Sequence, residues 1–283
     1  MVCMALSAEL TGKQDALENG LRSLGRVLVA YSGGIDSAFL AWAAYQTLGK
    51  EMLAVIADSA SLARYQLNDA VEFAREQNIP LEIIRTQELD RPEYVRNDSA
   101  RCFHCKDELF SVMSEFATAN NFQAIAYGIN VDDKGDFRPG QVAAVQHHVA
   151  APLLNAGLGK EEIRSLAREA GLRIWDKPAS ACLSSRIEYG REVTPEALAM
   201  VEQGEDALRQ LGFRQLRVRH HGDIARIEVA RDEMARAMTI EMAAEFSRIF
   251  KKIGFKFVTL DLEGFRSGSM NALLTPEQIR RAG

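Results

Sequence analysis

Cysteine is scarce in this chain, with four in 283 residues. Four are too few for a disulfide framework at this size, so the thiols read as reduced and available for metal binding or chemistry. No apolar run approaches the ~20 residues that a membrane-spanning helix needs. The first residues, Met1-Val-Cys-Met-Ala-Leu-Ser-Ala-Glu9, lack a basic start and a sustained apolar core, which argues against a signal peptide. Excess positive charge is missing too. A net charge of −5 argues against broad nonspecific nucleic-acid binding, while leaving local basic clusters free to hold phosphate. There is no internal repeat and no low-complexity segment. What remains, 47% apolar and 26% charged, is ordinary for a globular protein and is expected to work in the cytoplasm. The length allows one large domain or two ordinary ones.

Short apolar, β-branched runs alternate with helical periodicity over the first half. Strands are expected at 26–31, 52–57, 81–85 and 123–127, with helices at 7–24, 37–48, 62–77 and 106–118. This alternation implies an α/β fold with a parallel, Rossmann-like sheet covered on both faces, its strands free of polar alternation. Residues 128–158 are rich in Gly, Asp and Pro and read as a long irregular segment of the kind that lines a site. A helix follows at 159–171. After Cys182 the pattern changes. Thr194-Pro195-Glu196 is a strong helix start, running to about Leu211. A hairpin around His221-Gly222-Asp223, a helix at 232–252 and a strand at 255–260 complete a smaller α+β piece. The expected domains are therefore 1–190 and 191–283.

Ser32-Gly33-Gly34-Ile35-Asp36-Ser37 sits between the first strand and its helix. Two glycines let the backbone approach a ligand without a Cβ, and a helix N-terminus presents unpaired N–H groups to an anion. Asp36 is unusual beside phosphate unless it holds a metal ion such as Mg²⁺ or a backbone turn. The loop lacks the Gly-Lys-Ser/Thr ending of a P-loop, which makes γ-phosphate transfer the weaker reading. The whole pattern resembles the PP-loop of ATP pyrophosphatases, which split ATP to AMP and pyrophosphate while adenylylating an acyl or amide oxygen.

Cys102 and Cys105, in Arg-Cys-Phe-His-Cys-Lys, and Cys182 form a potential three-thiolate set. Three readings stay open on the residues alone: an iron–sulfur site, a zinc site with His104 as a strained fourth ligand, or a metal-free Cys-x-x-Cys pair beside a reactive Cys182. Cys3, near the terminus, reads as incidental.

Three longer stretches carry a more specific resemblance: Ala57-Asp-Ser-Ala-Ser-Leu62, the run from Tyr127 to Gly140, and Asp176-Lys-Pro-Ala-Ser-Ala-Cys-Leu-Ser-Ser-Arg-Ile-Glu-Tyr-Gly190. Together with Phe213–Arg219 and Ala225–Val229 they resemble the LarE family, ATP-dependent sulfur-insertion enzymes of nickel-pincer nucleotide synthesis. The resemblance implies a PP-loop domain over 1–190 and a substrate and oligomerisation domain over 191–283. It implies a pyridinium dicarboxylate mononucleotide as substrate, one carboxylate being adenylylated before sulfur displaces AMP. It places the nucleotide against Ala30, Ser32, Gly33, Gly34, Asp36, Ser37, Ile56, Ser59, Gly128 and Arg138. Lys106, Ser185, Arg186, Glu205, Arg217, Arg219 and Glu228 fall to the substrate. The catalytic set is Cys182, Asp36, Cys102 and Cys105, with ATP, Mg²⁺ and a [4Fe–4S] cluster on the three cysteines.

In one branch of the family the cysteine at the position of Cys182 gives up its own sulfur and becomes dehydroalanine. The added Cys102 and Cys105 favour the branch in which sulfide bound to a three-cysteine cluster is delivered. A sulfide source, nickel-inserting and racemase proteins downstream, and a homo-oligomer, a hexamer by resemblance, are the implied partners, with no nucleic acid and no membrane. The rivals are a PP-loop tRNA thiolase, which should carry an RNA-binding module, an NAD-synthetase-like amidotransferase, which leaves Cys182 unexplained, and a noncatalytic nucleotide sensor. On the residues themselves, Arg217 and Arg219 alternate onto one strand face, suiting phosphate or carboxylate, or an exposed face. Lys106 neutralises an anion or is a solvated helix lysine. Asp133 and Asp136 stand near the nucleotide or cap a turn. His147 and His148 read as structural.

Overall fold

The computed structural model describes residues 7–133, 139–178, 181–266, 270 and 275. Cys3, Asp136 and Arg138 lie outside them. In chain order the elements are α1 (Ala8–Ser23), β1 (Val27–Ala30), α2 (Ile35–Leu48), β2 (Met52–Asp58), α3 (Arg64–Glu76), β3 (Leu81–Arg85), α4 (Pro92–Val95), α5 (Arg101–Ala119), β4 (Ala124–Tyr127), α6 (Pro139–Gln146), α7 (Pro152–Asn155), α8 (Lys160–Glu169), α9 (Pro195–Gln210), β5 (Leu216–His221), β6 (Ile224–Val229), α10 (Met234–Ala237), α11 (Ile240–Ile253) and β7 (Phe257–Leu260). By their contacts these residues form two units. One is Met1–Ser59, Arg64–Gln87 and Phe103–Ser180; the other is Ala60–Ala63, Glu88–Cys102 and Ala181–Gly283. The cut read near residue 190 is a single point in the chain, whereas these units are discontinuous in it.

The first unit is built on four parallel strands in the order β3-β2-β1-β4. β1, Val-Leu-Val-Ala, is buried throughout, which is why an unbroken apolar run suits it. Leu28, Val55, Ile84 and Ile125 from all four strands pack with Phe110 and Met113 of α5 and Ala143 and Ala144 of α6. The expectation that every strand is buried on both sides fails at β3. It is an edge strand, and Ile83 is 46% exposed. Its Glu82 and Arg85 place charge along that open edge, a device that discourages pairing with other chains.

The second unit carries a three-stranded mixed sheet, β5-β6-β7. β5 and β6 are antiparallel, β6 and β7 parallel. The expected hairpin turns at Gly222, whose φ of 67° suits glycine. Phe213, Phe246, Phe250 and Phe255 fill the core against Val218, Ile227 and Val229. Thr194 caps α9, its hydroxyl accepting from the Ala197 N–H at 3.2 Å.

Three segments differ from expectation. α5 begins at Arg101 rather than Lys106, so Cys102 and Cys105 ride on a helix. The segment after β4 contains α6 and α7, each with proline at its first position. The single helix read over 232–252 is two: α10 ends at Ala237 with Met238 at its C-cap, and Thr239 caps α11 through the Met242 N–H at 3.2 Å.

Candidate functional site

Chain order reverses across β1, with β2 and β3 built out on one side and β4 on the other. The carboxyl ends of β1 and β4 are therefore a topological switch point, where parallel sheets leave a crevice for ligands. The Ser32–Gly34 loop leaves β1 at that point and enters α2, with Gly34 at the N-cap and Asp36 in the first turn. Ser37 braces the loop from inside. Its hydroxyl accepts from the Ser32 N–H at 3.1 Å, lies 3.0 Å from the Ser32 hydroxyl, and donates to the Gly34 carbonyl at 3.0 Å. Gly128, just beyond β4, is held against the same helix end. A Cβ there would stand 2.7 Å from the Ser37 nitrogen and 2.9 Å from the Asp36 carbonyl carbon. Ala30 and Ile56 are buried near the ends of β1 and β2, and Ser59 follows β2 with its carbonyl accepting from Arg64 at 2.8 Å. The residues assigned to nucleotide are thus gathered at one edge, Arg138 excepted as undescribed.

One contributor escaped sequence reasoning. Lys177 Nζ donates to the Gly33 carbonyl at 2.8 Å and to the Asp69 carboxylate of α3. Arg173 reaches that carboxylate at 2.6 Å and Glu76 at 2.7 Å. Burial acts to raise the Asp69 pKa, but Lys177 and Arg173 overcome it and the net shift is downward. Tyr31 donates its hydroxyl to the Ala70 carbonyl at 2.8 Å, and burial, aided by the Asp69 charge, pushes its phenol well up. Only the tertiary fold brings Lys177 to the loop, 144 positions away in sequence.

In the second unit, Cys182 precedes a tight turn over Leu183–Arg186. Arg186 is fully buried and grips that turn. Nη1 donates to the carbonyls of Ala181 at 2.7 Å and Cys182 at 2.8 Å, while Nε donates to Glu205 at 2.8 Å. The Ser185 hydroxyl also donates to the Cys182 carbonyl, at 2.7 Å. Arg219 forms a forked pair with buried Glu228, 3.0 and 2.9 Å, and donates to the Ser185 carbonyl at 3.2 Å. Burial acts to raise the Glu205 pKa, but Arg186, with Arg217 and Arg209, holds it below the ordinary range. Arg217 lies over the Phe265 ring at 4.9 Å. Of the residues assigned to substrate, Ser185, Arg186, Glu205, Arg219 and Glu228 therefore meet around the Cys182 turn.

Arg101 is the second residue missed. It is 3% exposed and donates to the Asn97 side chain at 2.5 Å and to the Ser184 carbonyl at 2.9 Å, with Nη2 3.9 Å from the Cys102 sulfur. Burial alone would lower its pKa, but the sulfurs of Cys102 and Cys182 raise it, and the net shift is upward. The Tyr94 hydroxyl completes the group at 2.5 Å from that of Ser184. Cys102 and Cys182 thus belong to one unit, whereas Cys105 and Lys106 fall in the other. Lys106 lies over the Phe110 ring at 5.7 Å. Among the described residues, no three His, Cys, Asp or Glu side chains gather into a group able to hold a metal. Asp133 is buried and caps its turn through the Asn130 N–H at 3.3 Å. His147 pairs with Asp107 at 2.8 Å.

No family model matches the chain. Individual relatives do. Over 273 residues, 96% of this chain and 98% of the relative, it is 35% identical to the pyridinium-3,5-bisthiocarboxylic acid mononucleotide synthase of Lactiplantibacillus plantarum. The chain belongs to the LarE family. Its likeness to an uncharacterized protein of Synechocystis is higher, 40% over 94% of this chain and 99% of that one. Outside LarE, a glutamine-hydrolyzing GMP synthase of Nostoc punctiforme is 26% identical over 65% of this chain but only 39% of its own length. Among the described residues of this LarE-family protein, no helix is long and apolar enough to cross a membrane.

Proposed function

We propose that the protein inserts sulfur into pyridinium-3,5-biscarboxylic acid mononucleotide for nickel-pincer cofactor synthesis, activating a carboxylate with ATP. The observation that carries this reading is the near full-length match to the Lactiplantibacillus synthase. A carboxylate oxygen attacks the α-phosphorus of ATP, the α–β phosphoanhydride breaks, and pyrophosphate leaves. A sulfur nucleophile then attacks the acyl carbon and AMP departs, leaving a thiocarboxylate. Activation is required because a bare carboxylate has no adequate leaving group.

The loop at Ser32–Ser37 and the start of α2 suit the first half reaction, offering backbone N–H groups to departing pyrophosphate. Asp36, in the first turn of α2, supplies the hard oxygen that Mg²⁺ prefers, and the ion would neutralise phosphate charge there. For the second half, Cys182 sits on a turn whose carbonyl is fixed by Arg186 and Ser185. A [4Fe–4S] cluster on Cys102, Cys105 and Cys182 is the sulfur carrier suggested by the thiolate pattern. A second reading, which the same residues leave open, takes Cys182 as the donor of its own sulfur. In that second reading the Cys182 thiolate displaces AMP to form a thioester. Loss of its Cα proton with cleavage of Cβ–S then leaves dehydroalanine. A sulfide source, downstream nickel-inserting and racemase proteins, and a homo-oligomer complete the proposal.

Pyrophosphate release is measured with ATP and the dicarboxylate mononucleotide, alongside anaerobic iron and sulfide content and the mass of Cys182 after one turnover. Release that requires the mononucleotide supports the reaction, and its absence overturns it. Intact Cys182 with bound iron and sulfide supports the cluster, whereas loss of one H₂S from Cys182 supports the sacrificial route.

A further inference from the structure

We propose that Lys177 is a positioning residue of the nucleotide loop, fixing the Gly33 peptide so that its oxygen faces away from bound phosphate. This rests on the reading of Ser32–Ser37 as the phosphate loop. A phosphate loop works by presenting N–H groups, and a carbonyl oxygen turned inward would repel the ligand. In a planar trans peptide, C=O and the next N–H point in opposite directions. Tying the Gly33 oxygen to Lys177 Nζ, 2.8 Å away, therefore aims the Gly34 N–H the other way.

The tie is braced by α3. Lys177 is also bound by Asp69, which in turn is held by Arg173 through its carboxylate at 2.6 Å and its carbonyl at 3.0 Å. The neighbouring Ala70 packs under Gly33 so closely that a Cβ on the glycine would fall 2.6 Å from the alanine Cβ. Tyr31, at the other end of the loop, is fastened to the Ala70 carbonyl. Gly33 has φ of 72°, a backbone state that is costly for other residues and needs support to persist. An ordinary surface ion pair explains Lys177 with Asp69, but not the bond to Gly33. With its side chain 19% exposed, Lys177 is largely withdrawn from water.

The test measures ATP and adenosine binding by calorimetry with the full chain and Mg²⁺. Lys177→Met is expected to weaken ATP about ten- to a hundredfold while leaving adenosine, which has no phosphate, unchanged. Asp69→Asn is expected to weaken ATP by a smaller factor, because the lysine loses its anchor. If Asp69→Asn tightens ATP, Lys177 acts as a freed cation on the phosphates and the positioning role is wrong. A folded Lys177→Met that binds ATP like wild type overturns the proposal alone. Should Lys177→Met fail to fold, the direction of the Asp69→Asn effect decides. Wild-type protein that binds no ATP overturns the phosphate-loop reading and this proposal with it.

Discussion

The Ser32–Ser37 loop and the Cys182 turn are made of opposite materials. The first is backbone, small residues and one borrowed lysine at the end of a parallel sheet. Its precision comes from close approach, as at Gly128, where even a methyl group collides with the start of α2. The second is held by buried ion pairs, Arg186 with Glu205 and Arg219 with Glu228, which reach the turn through its carbonyl oxygens. A buried pair adds little net stability over well-packed apolar residues, but losing one partner is severe. Such a device specifies a geometry rather than supplying energy. The two loops should therefore fail differently.

The largest effect is expected at Glu205→Leu. It strands a guanidinium that is fully buried, and should cost about 3–5 kcal/mol in urea unfolding. Combining it with Arg186→Met should recover most of that loss. If the single variant costs nothing, the pair is not what holds the turn. Next is Gly128→Ala, where overpacking against backbone should cost about 1–3 kcal/mol, seen as weakened ATP binding or a lowered unfolding midpoint. Unchanged values for both would mean that the close approach is unimportant. The smallest is acid-linked. Asp69 has a folded pKa below its unfolded value, so its stabilisation is present above about pH 4 and is lost as pH falls through the lower folded pKa. Because the group is partly exposed, less than about 1 kcal/mol is at stake. Asp69→Asn should flatten that portion of the acid limb, and an unaltered limb would remove Asp69 from the linkage.

The backbone-made loop was legible in sequence because its parts are contiguous and each glycine has a local reason. The parallel sheet was legible for the same reason, since apolar runs report burial on two faces. Lys177 was not, because its partner lies 144 positions away. Arg101 was passed over beside two conspicuous cysteines, and its own N–H partners, Asn97 and the Ser184 carbonyl, are visible only after folding. Arg186, Glu205 and Glu228 are assigned to substrate by the family resemblance and Arg219 by its strand face; that they pair with one another in the interior is visible only after folding. The split of the last long helix falls at Met238 and Thr239, the first closing one helix and the second capping the next.

The second unit's discontinuity bears on how the protein is made. Tyr94, Asn97 and Arg101 emerge from the ribosome 83 to 90 residues before their partners in and just after the Cys182 turn, a delay of several seconds at ordinary synthesis rates. Through that interval the Arg101 guanidinium lacks its Ser184 carbonyl partner, and water must take that place. The unit then closes around a cation that starts in water and ends inside.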